Sequence, residues 1–254
     1  MKRSILFAAG MILLVATGLT WWQVESIPEP VAITPTLTGQ VEYCLTCHTG
    51  LAEISSSHPI ENYGCVLCHG GERLALKADL AHSSMRGGNN PSDLSVVEQS
   101  CGGADCHSGA AAEWRNHIER VMGSIMATYT GAITSARYTF GAQPDPTPQY
   151  AISAVQDATL PSLTGLMSLK AFDPAAETDP RLQTFAEQCL DCHLRAAPRA
   201  GESYARFTGC AACHTPFPPS PAGEAVEIEG VHILTTAISY TQCNTCHYQG
   251  TYDV

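Results

Sequence analysis

The sequence predicts a fold built mainly of short helices and irregular loops, with little sheet. Three observations predict it. All 12 cysteines fall into six pairs, and each pair is followed at once by a histidine. No long run alternates apolar and polar residues as a half-buried strand would. Glycine, serine and proline punctuate the gaps between the pairs, and such residues break regular elements.

Five pairs share one spacing: Cys44-Leu-Thr-Cys47-His48, Cys65-Val-Leu-Cys68-His69, Cys189-Leu-Asp-Cys192-His193, Cys210-Ala-Ala-Cys213-His214 and Cys243-Asn-Thr-Cys246-His247. The sixth, Cys101-Gly-Gly-Ala-Asp-Cys106-His107, has four residues between its cysteines. Paired cysteines also serve zinc sites and disulfides. A zinc ribbon, however, needs no histidine directly after its second cysteine, and a disulfide framework needs no fixed pairs. Histidine makes up 10 of 254 residues, so roughly one pair in 25 would be followed by it by chance. Two thiols and an adjoining imidazole at this spacing are the attachment signature of haem c. Each thiol adds to one vinyl group on the same edge of the porphyrin, which brings the next residue beneath the iron as proximal ligand. The sequence thus predicts six covalently attached haems, with His48, His69, His107, His193, His214 and His247 as proximal ligands. Six such groups would supply much of the apolar interior, so the fold is expected to pack around haem. An aromatic content of 7% and a charged content of 15% suit a chain that wraps cofactors.

The segment from Cys44 to Arg86 carries both first motifs, Ser57-His58-Pro59, Gly64, Gly70-Gly71 and Ala81-His82-Ser-Ser-Met85-Arg86. Together with Asn116-His117 and the helix after it, this resembles the opening haem module of longer exported multihaem cytochromes, within the bacterial multihaem c-type cytochromes. The resemblance covers 40–140 and 185–250, and the wide motif matches a variant found in some of these proteins. It implies covalent haem and electron transfer. The same motif serves wires, shuttles and enzymes, so it specifies cofactor better than role.

In chain order, residues 1–22 open with Lys2 and Arg3 and continue as an apolar run from Ile5 to Trp22. They read as a signal-anchor or signal peptide. The run approaches the length needed to span a bilayer, and Trp21-Trp22 suits an interfacial aromatic belt. No clear small-x-small cleavage site precedes Gln23, so the anchor is the preferred reading. Either way the haem region is expected outside the cytoplasm, in the periplasmic or extracytoplasmic space, tethered to the cytoplasmic membrane. Residues 23–40, with Pro28, Pro30 and Pro35, read as an extended linker. The first three-haem block spans 41–140. Within it Trp114, Ile118, Val121 and Ile125 recur at helical spacing, which predicts the longest soluble helix over 110–130. Residues 141–180 are rich in proline and carry no motif, so they read as a linker or surface loop. The second three-haem block fills 181–254.

The blocks look like copies. Cys44, Cys65 and Cys101 are echoed by Cys189, Cys210 and Cys243, with Glu42-Tyr43-Cys44-Leu45 against Glu187-Gln188-Cys189-Leu190 and Gly64-Cys65 against Gly209-Cys210. An internal duplication of a three-haem unit is the reading, and repetition favours a line of cofactors over one buried site.

Four histidines lie outside the motifs: His58, His82, His117 and His232. Low-spin haem needs a second axial ligand, which makes them the candidate distal ligands. Met85, Met122, Met126 and Met167 are weaker candidates, since methionines at helical spacing more often pack a core. Four histidines for six irons leave two short. The counterpart of His58 is Ser203, and the counterpart of His117 would fall beyond residue 254. A longer cytochrome, or a neighbouring subunit donating haem ligands, is therefore expected.

The formal net charge of -11 argues against nucleic acid and favours a basic redox partner. The function expected is relay of electrons between membrane or periplasmic redox proteins, a donor and an acceptor. One alternative is a multihaem oxidoreductase with one five-coordinate, substrate-binding haem. It lacks the lysine-for-histidine motif of nitrite reductases, and no catalytic cluster stands out. A membrane-anchored, quinol-oxidising subunit is the narrower alternative, although such proteins usually carry fewer haems.

Overall fold

The computed structural model describes residues 10–19, 28–88, 90–103, 105–108, 116–155, 168–190, 193–195, 208–215, 232–240 and 242–243. The short-element expectation holds. Helix α1 covers 10–19. After it come α2 (Ile60–Tyr63), α3 (Val66–His69), α4 (Ala78–Ala81), α5 (Val97–Ser100), α6 (His117–Met122), α7 (Ile125–Thr128), α8 (Thr130–Thr139), α9 (Pro180–Cys189) and α10 (Ala211–His214). Strands β1 (Tyr150–Ala151) and β2 (Lys170–Ala171) form one parallel pair, with Tyr150 opposite Lys170 and Ala151 opposite Ala171.

Helix α1 is the described part of the N-terminal apolar run, and Met11, Ile12, Leu13 and Leu14 on it are exposed. Among the described residues no helix is long and apolar enough to cross a membrane. The rest of that run lies outside the described residues.

In the described part of 110–130 two short helices, α6 and α7, stand where a single long one is expected, and α8 follows from Thr130. Residues 110–115, with Trp114, lie outside the described part. After α6 the chain turns at Gly123, and Ser124 starts α7 by accepting the Ala127 N–H on its side chain. Tyr129 then adopts the left-handed conformation (φ 53°, ψ 21°), which ends α7 and begins α8. A side chain that stops one helix and caps the next overrides apolar spacing. Ile118 is buried, whereas Ile125 is 73% exposed, so the predicted stripe does not stay on one face.

Two small cores result. One gathers Leu94, Val97, Ile118 and Ala127, with Cys101, Leu194 and Cys210 packed against it. It therefore joins the first block to the second. The other gathers Ile133, Phe172 and Ala186, with Tyr129, Tyr150 and Phe185 around them. The stretch 141–180 does more than link. Its described parts form both strands and bury Ala151, Leu169 and Phe172.

Helix α9 starts where its sequence says it should: Asp179 accepts the Arg181 N–H as N-cap, and Pro180 fills the first helical position. Helix α8 is held to the 170s by an ion pair between Arg137 and Glu177, both side chains being about nine-tenths buried. The guanidinium also lies 4.3 Å from the centre of the Tyr150 ring. Glu177→Ala would strand that charge in the interior and is expected to cost about 3–5 kcal/mol, measured by denaturant unfolding.

Candidate functional site

Four cysteine–histidine motifs close in the same way. The backbone N–H of the histidine donates to the carbonyl of the first cysteine: His48 to Cys44 (3.1 Å), His69 to Cys65 (2.9 Å), His107 to Cys101 (3.0 Å) and His214 to Cys210 (2.9 Å). One closed turn brings two thiols and an imidazole to the same neighbourhood. In the first motif the turn is a short 3-10 helix, Cys44–Thr46, and in the second and fifth it is α3 and α10. The wide motif reaches the same closure. Its extra residues loop out through Gly103 (φ 119°), whose N–H bonds the Ser108 hydroxyl at 2.7 Å. Cys189 ends α9, so the fourth motif begins at a helix C-terminus. Cys192, Cys246 and His247 lie outside the described residues.

Glycine seats two of these turns. Gly64 and Gly209 both have φ near 70°, a conformation that costs any other residue. A Cβ at Gly64 would run into Pro35 and approach Glu42 Oε1 to 2.7 Å. One at Gly209 would run into the Ser92 carbonyl. Each turn's first N–H groups find a dedicated acceptor. Glu42, 1% exposed, takes Cys65 N–H at 2.8 Å and Val66 N–H at 3.2 Å on Oε2. In the fifth motif Ser92 replaces it: its carbonyl accepts Cys210 N–H at 3.2 Å and its hydroxyl accepts Ala211 N–H at 2.9 Å. Asn90 adds a bond from Nδ2 to the Thr208 carbonyl at 2.9 Å. Glu187, which the duplication aligns with Glu42, is exposed. The two Gly-Cys turns are alike, and the one at Cys210 takes its support from Ser92, in the 41–140 stretch.

The candidate distal histidines come to the motif histidines. Ring centres lie 6.0 Å apart for His48 and His82, 6.2 Å for His69 and His232, and 6.0 Å for His58 and His107. His117 also faces His107, at 5.5 Å. These separations lie in the outer range of ring–ring contacts. They match two imidazoles on opposite sides of one metal, where bonds of about 2 Å put the ring centres on the order of 6 Å apart. Burial pushes the His69 and His193 imidazoles down to about 4, so both are neutral at pH 7, the form that can ligate. The Nδ1 atoms of both are buried without a hydrogen-bond partner. His193 lies against Tyr129, with ring centres 4.3 Å apart. His214 Nδ1 lies 2.8 Å from the Thr235 carbonyl and donates to it. Among the methionines, Met122 packs on the first core and Met126 is 40% exposed, while Met167 lies outside the described residues.

No disulfide joins any two of the ten described cysteines. Burial, and then nearby Cys101, pushes the Cys68 and Cys210 thiols up to about 11. The Cys65 thiol donates to the Cys44 sulfur, which raises the first and lowers the second. Neighbouring thiols thus run from the first motif to the second, from the second to the third, and from the third to the fifth. An open hollow of about 500 Å³ lies beside the wide motif, lined by Leu94, Val97, Ile118 and Met122.

Glu42, Cys44 and Cys65 also place one ligand atom each within 4.8 Å of one another. That grouping is not specific to haem, and Glu42 Oε2 is already engaged by two backbone N–H groups. No family model, curated protein or solved structure matches this chain.

Proposed function

We propose that this chain is an exported c-type cytochrome whose six motifs each bind one haem and which relays electrons between redox protein partners. The observation that carries the reading is the facing of motif and non-motif histidines near 6 Å in the first three motifs. The donor set fits the group. Paired thiols would hold each haem, and His48, His69, His107, His193, His214 and His247 would be its proximal ligands. Haem supplies one-electron chemistry at a potential set by its axial ligands and surroundings. The chain's own work is to fix ligand spacing, to exclude water and to hold the attachment points close together. The line of neighbouring thiols supports a relay over a single site, because the attachment points of the first, second, third and fifth motifs adjoin one another. The apolar N-terminal run would tether the haem region to the cytoplasmic membrane, and the net charge of -11 would draw a basic partner.

The deciding experiment is intact mass and haem quantitation of the exported protein, with low-temperature EPR of the oxidised form and carbon monoxide binding to the reduced form. Six haems that are reduced and reoxidised by protein partners are expected. A purified, exported chain without covalent haem would overturn the proposal. A second reading is an oxidoreductase with one open haem, favoured by the ring lying against buried His193, which is that of Tyr129 and not a histidine. It requires a high-spin, carbon monoxide-binding haem that persists in the full assembly and vanishes from the relay reading.

His58 and His117 both face His107, yet only one can stand opposite it. His58→Ala and His117→Ala are each expected to leave that haem low-spin, since the other histidine is near enough to replace the one lost. The double substitution should convert one haem in six to a carbon monoxide-binding form, read by EPR and difference spectra.

A further inference from the structure

We propose that His232, from the second block, is the axial partner of His69 in the first, so that one metal site is built from both halves of the chain. The assignment rests on the haem reading above and deepens it. His69 and His232 are far apart in sequence, yet their rings face with centres 6.2 Å apart and planes inclined by 25°. That gap is at the long end of ring–ring contacts and suits one metal between two imidazoles.

The tautomer of His232 supports the assignment. Its Nδ1 lies 3.1 Å from the Ala52 carbonyl, which can only accept, so Nδ1 carries the hydrogen. The lone pair is then left on Nε2, the ordinary arrangement of a ligating histidine whose other nitrogen is held by a backbone carbonyl. The segment around it is fastened on both sides. Leu234 N–H donates to the Ile54 carbonyl at 2.9 Å, in the first block. Thr235 N–H donates to the His214 carbonyl at 2.8 Å, and the Thr235 carbonyl accepts from His214 Nδ1. Residues 232–235 therefore connect the second motif's histidine to the fifth motif's histidine. The bond to iron would be the strongest link in that strap. The duplication gives no hint of it, because the first block holds His48 and His82 together from within.

The test uses the haem-loaded full chain with His232→Ala and His232→Met. With haem content unchanged at six per chain, the alanine variant should show one new high-spin haem in six, binding carbon monoxide when reduced. It should also be cut faster by protease within 232–240. The methionine variant should keep that haem low-spin, gain the absorption band of a thioether–iron bond and shift one potential upward, as His/Met ligation does. An alanine variant with six low-spin haems overturns the pairing while leaving the haem reading intact. If the alanine variant does not accumulate, the methionine variant decides: an unchanged spectrum overturns the pairing, and the new band supports it. Loss of covalent haem from the unsubstituted chain would instead overturn the haem reading, so the two failures are distinct.

Discussion

Replacing Gly209 with alanine is expected to unseat the fifth motif and to lower stability by about 2–6 kcal/mol. Two costs add. The residue has φ 71°, which costs a residue with a side chain on the order of 1–3 kcal/mol. The new methyl group would also run into the Ser92 carbonyl, which is backbone and accepts the Cys210 N–H, so it cannot turn aside without losing that bond. Overpacking of this kind costs about 1–3 kcal/mol. Gly131→Ala is the matched control. Gly131 lies in α8 and a Cβ there meets nothing within 4 Å, so alanine should be neutral or stabilising by up to about 1 kcal/mol. Denaturant unfolding of both variants, with haem counted in each, gives the comparison. Equal stabilities would mean that the Ser92 seat does not hold the fifth motif.

Local chemistry was legible in the sequence because it is local. A histidine directly after a cysteine pair closes the same turn in the first, second, third and fifth motifs, and the wide motif obeys this despite its extra residues. Asp179-Pro180 is an equally local start signal for α9, although Pro180 counted toward the linker reading of 141–180. What the sequence left open depends on contacts between distant segments. Pairing Gly64-Cys65 with Gly209-Cys210 foretold two similar turns, yet nothing in Glu187 says that it faces solvent while Ser92 takes the role of Glu42. The apolar spacing of Ile118, Val121 and Ile125 suggested one helix. Ser124 and Tyr129 broke it, since a cap and a left-handed residue act on two or three backbone groups and leave no periodic trace. The prolines of 141–180 suggested a linker or surface loop, and the described parts of that stretch pair as two short strands and bury Ala151, Leu169 and Phe172. Two-residue strands are too short to show alternation, although they bury Ala151. The four non-motif histidines stood out by composition, but their partners did not, because spacing along the chain carries no information about which rings face.

Glu42 is where support and electrochemistry should separate. Glu42→Gln is expected to raise the reduction potentials of the first two haems by several tens of millivolts, with a small loss of stability. Glu42 is 1% exposed, and Cys44 and Cys65, whose sulfurs lie within 4.8 Å of its carboxylate, would be attachment residues of the first and second proposed haems. A fixed negative charge in a dry environment opposes addition of an electron nearby, so removing it makes reduction easier. At an effective dielectric constant near 20 and a separation near 8 Å, the interaction is about 2 kcal/mol. The glutamine carbonyl can still accept the Cys65 and Val66 N–H bonds, so the turn should survive. Glu42→Ala removes charge and acceptor together. It should give the same shift in potential plus a stability loss of about 1.5–3 kcal/mol, the cost of losing hydrogen bonds to a charged group. Spectroelectrochemistry and denaturant unfolding on the two variants separate the contributions. Equal potentials in the parent and glutamine proteins would mean that Glu42 acts as a cap alone. A shift shared by both variants, with stability lost only in the alanine form, would assign one side chain two tasks: closing the second motif's turn and setting the potential of the haems beside it.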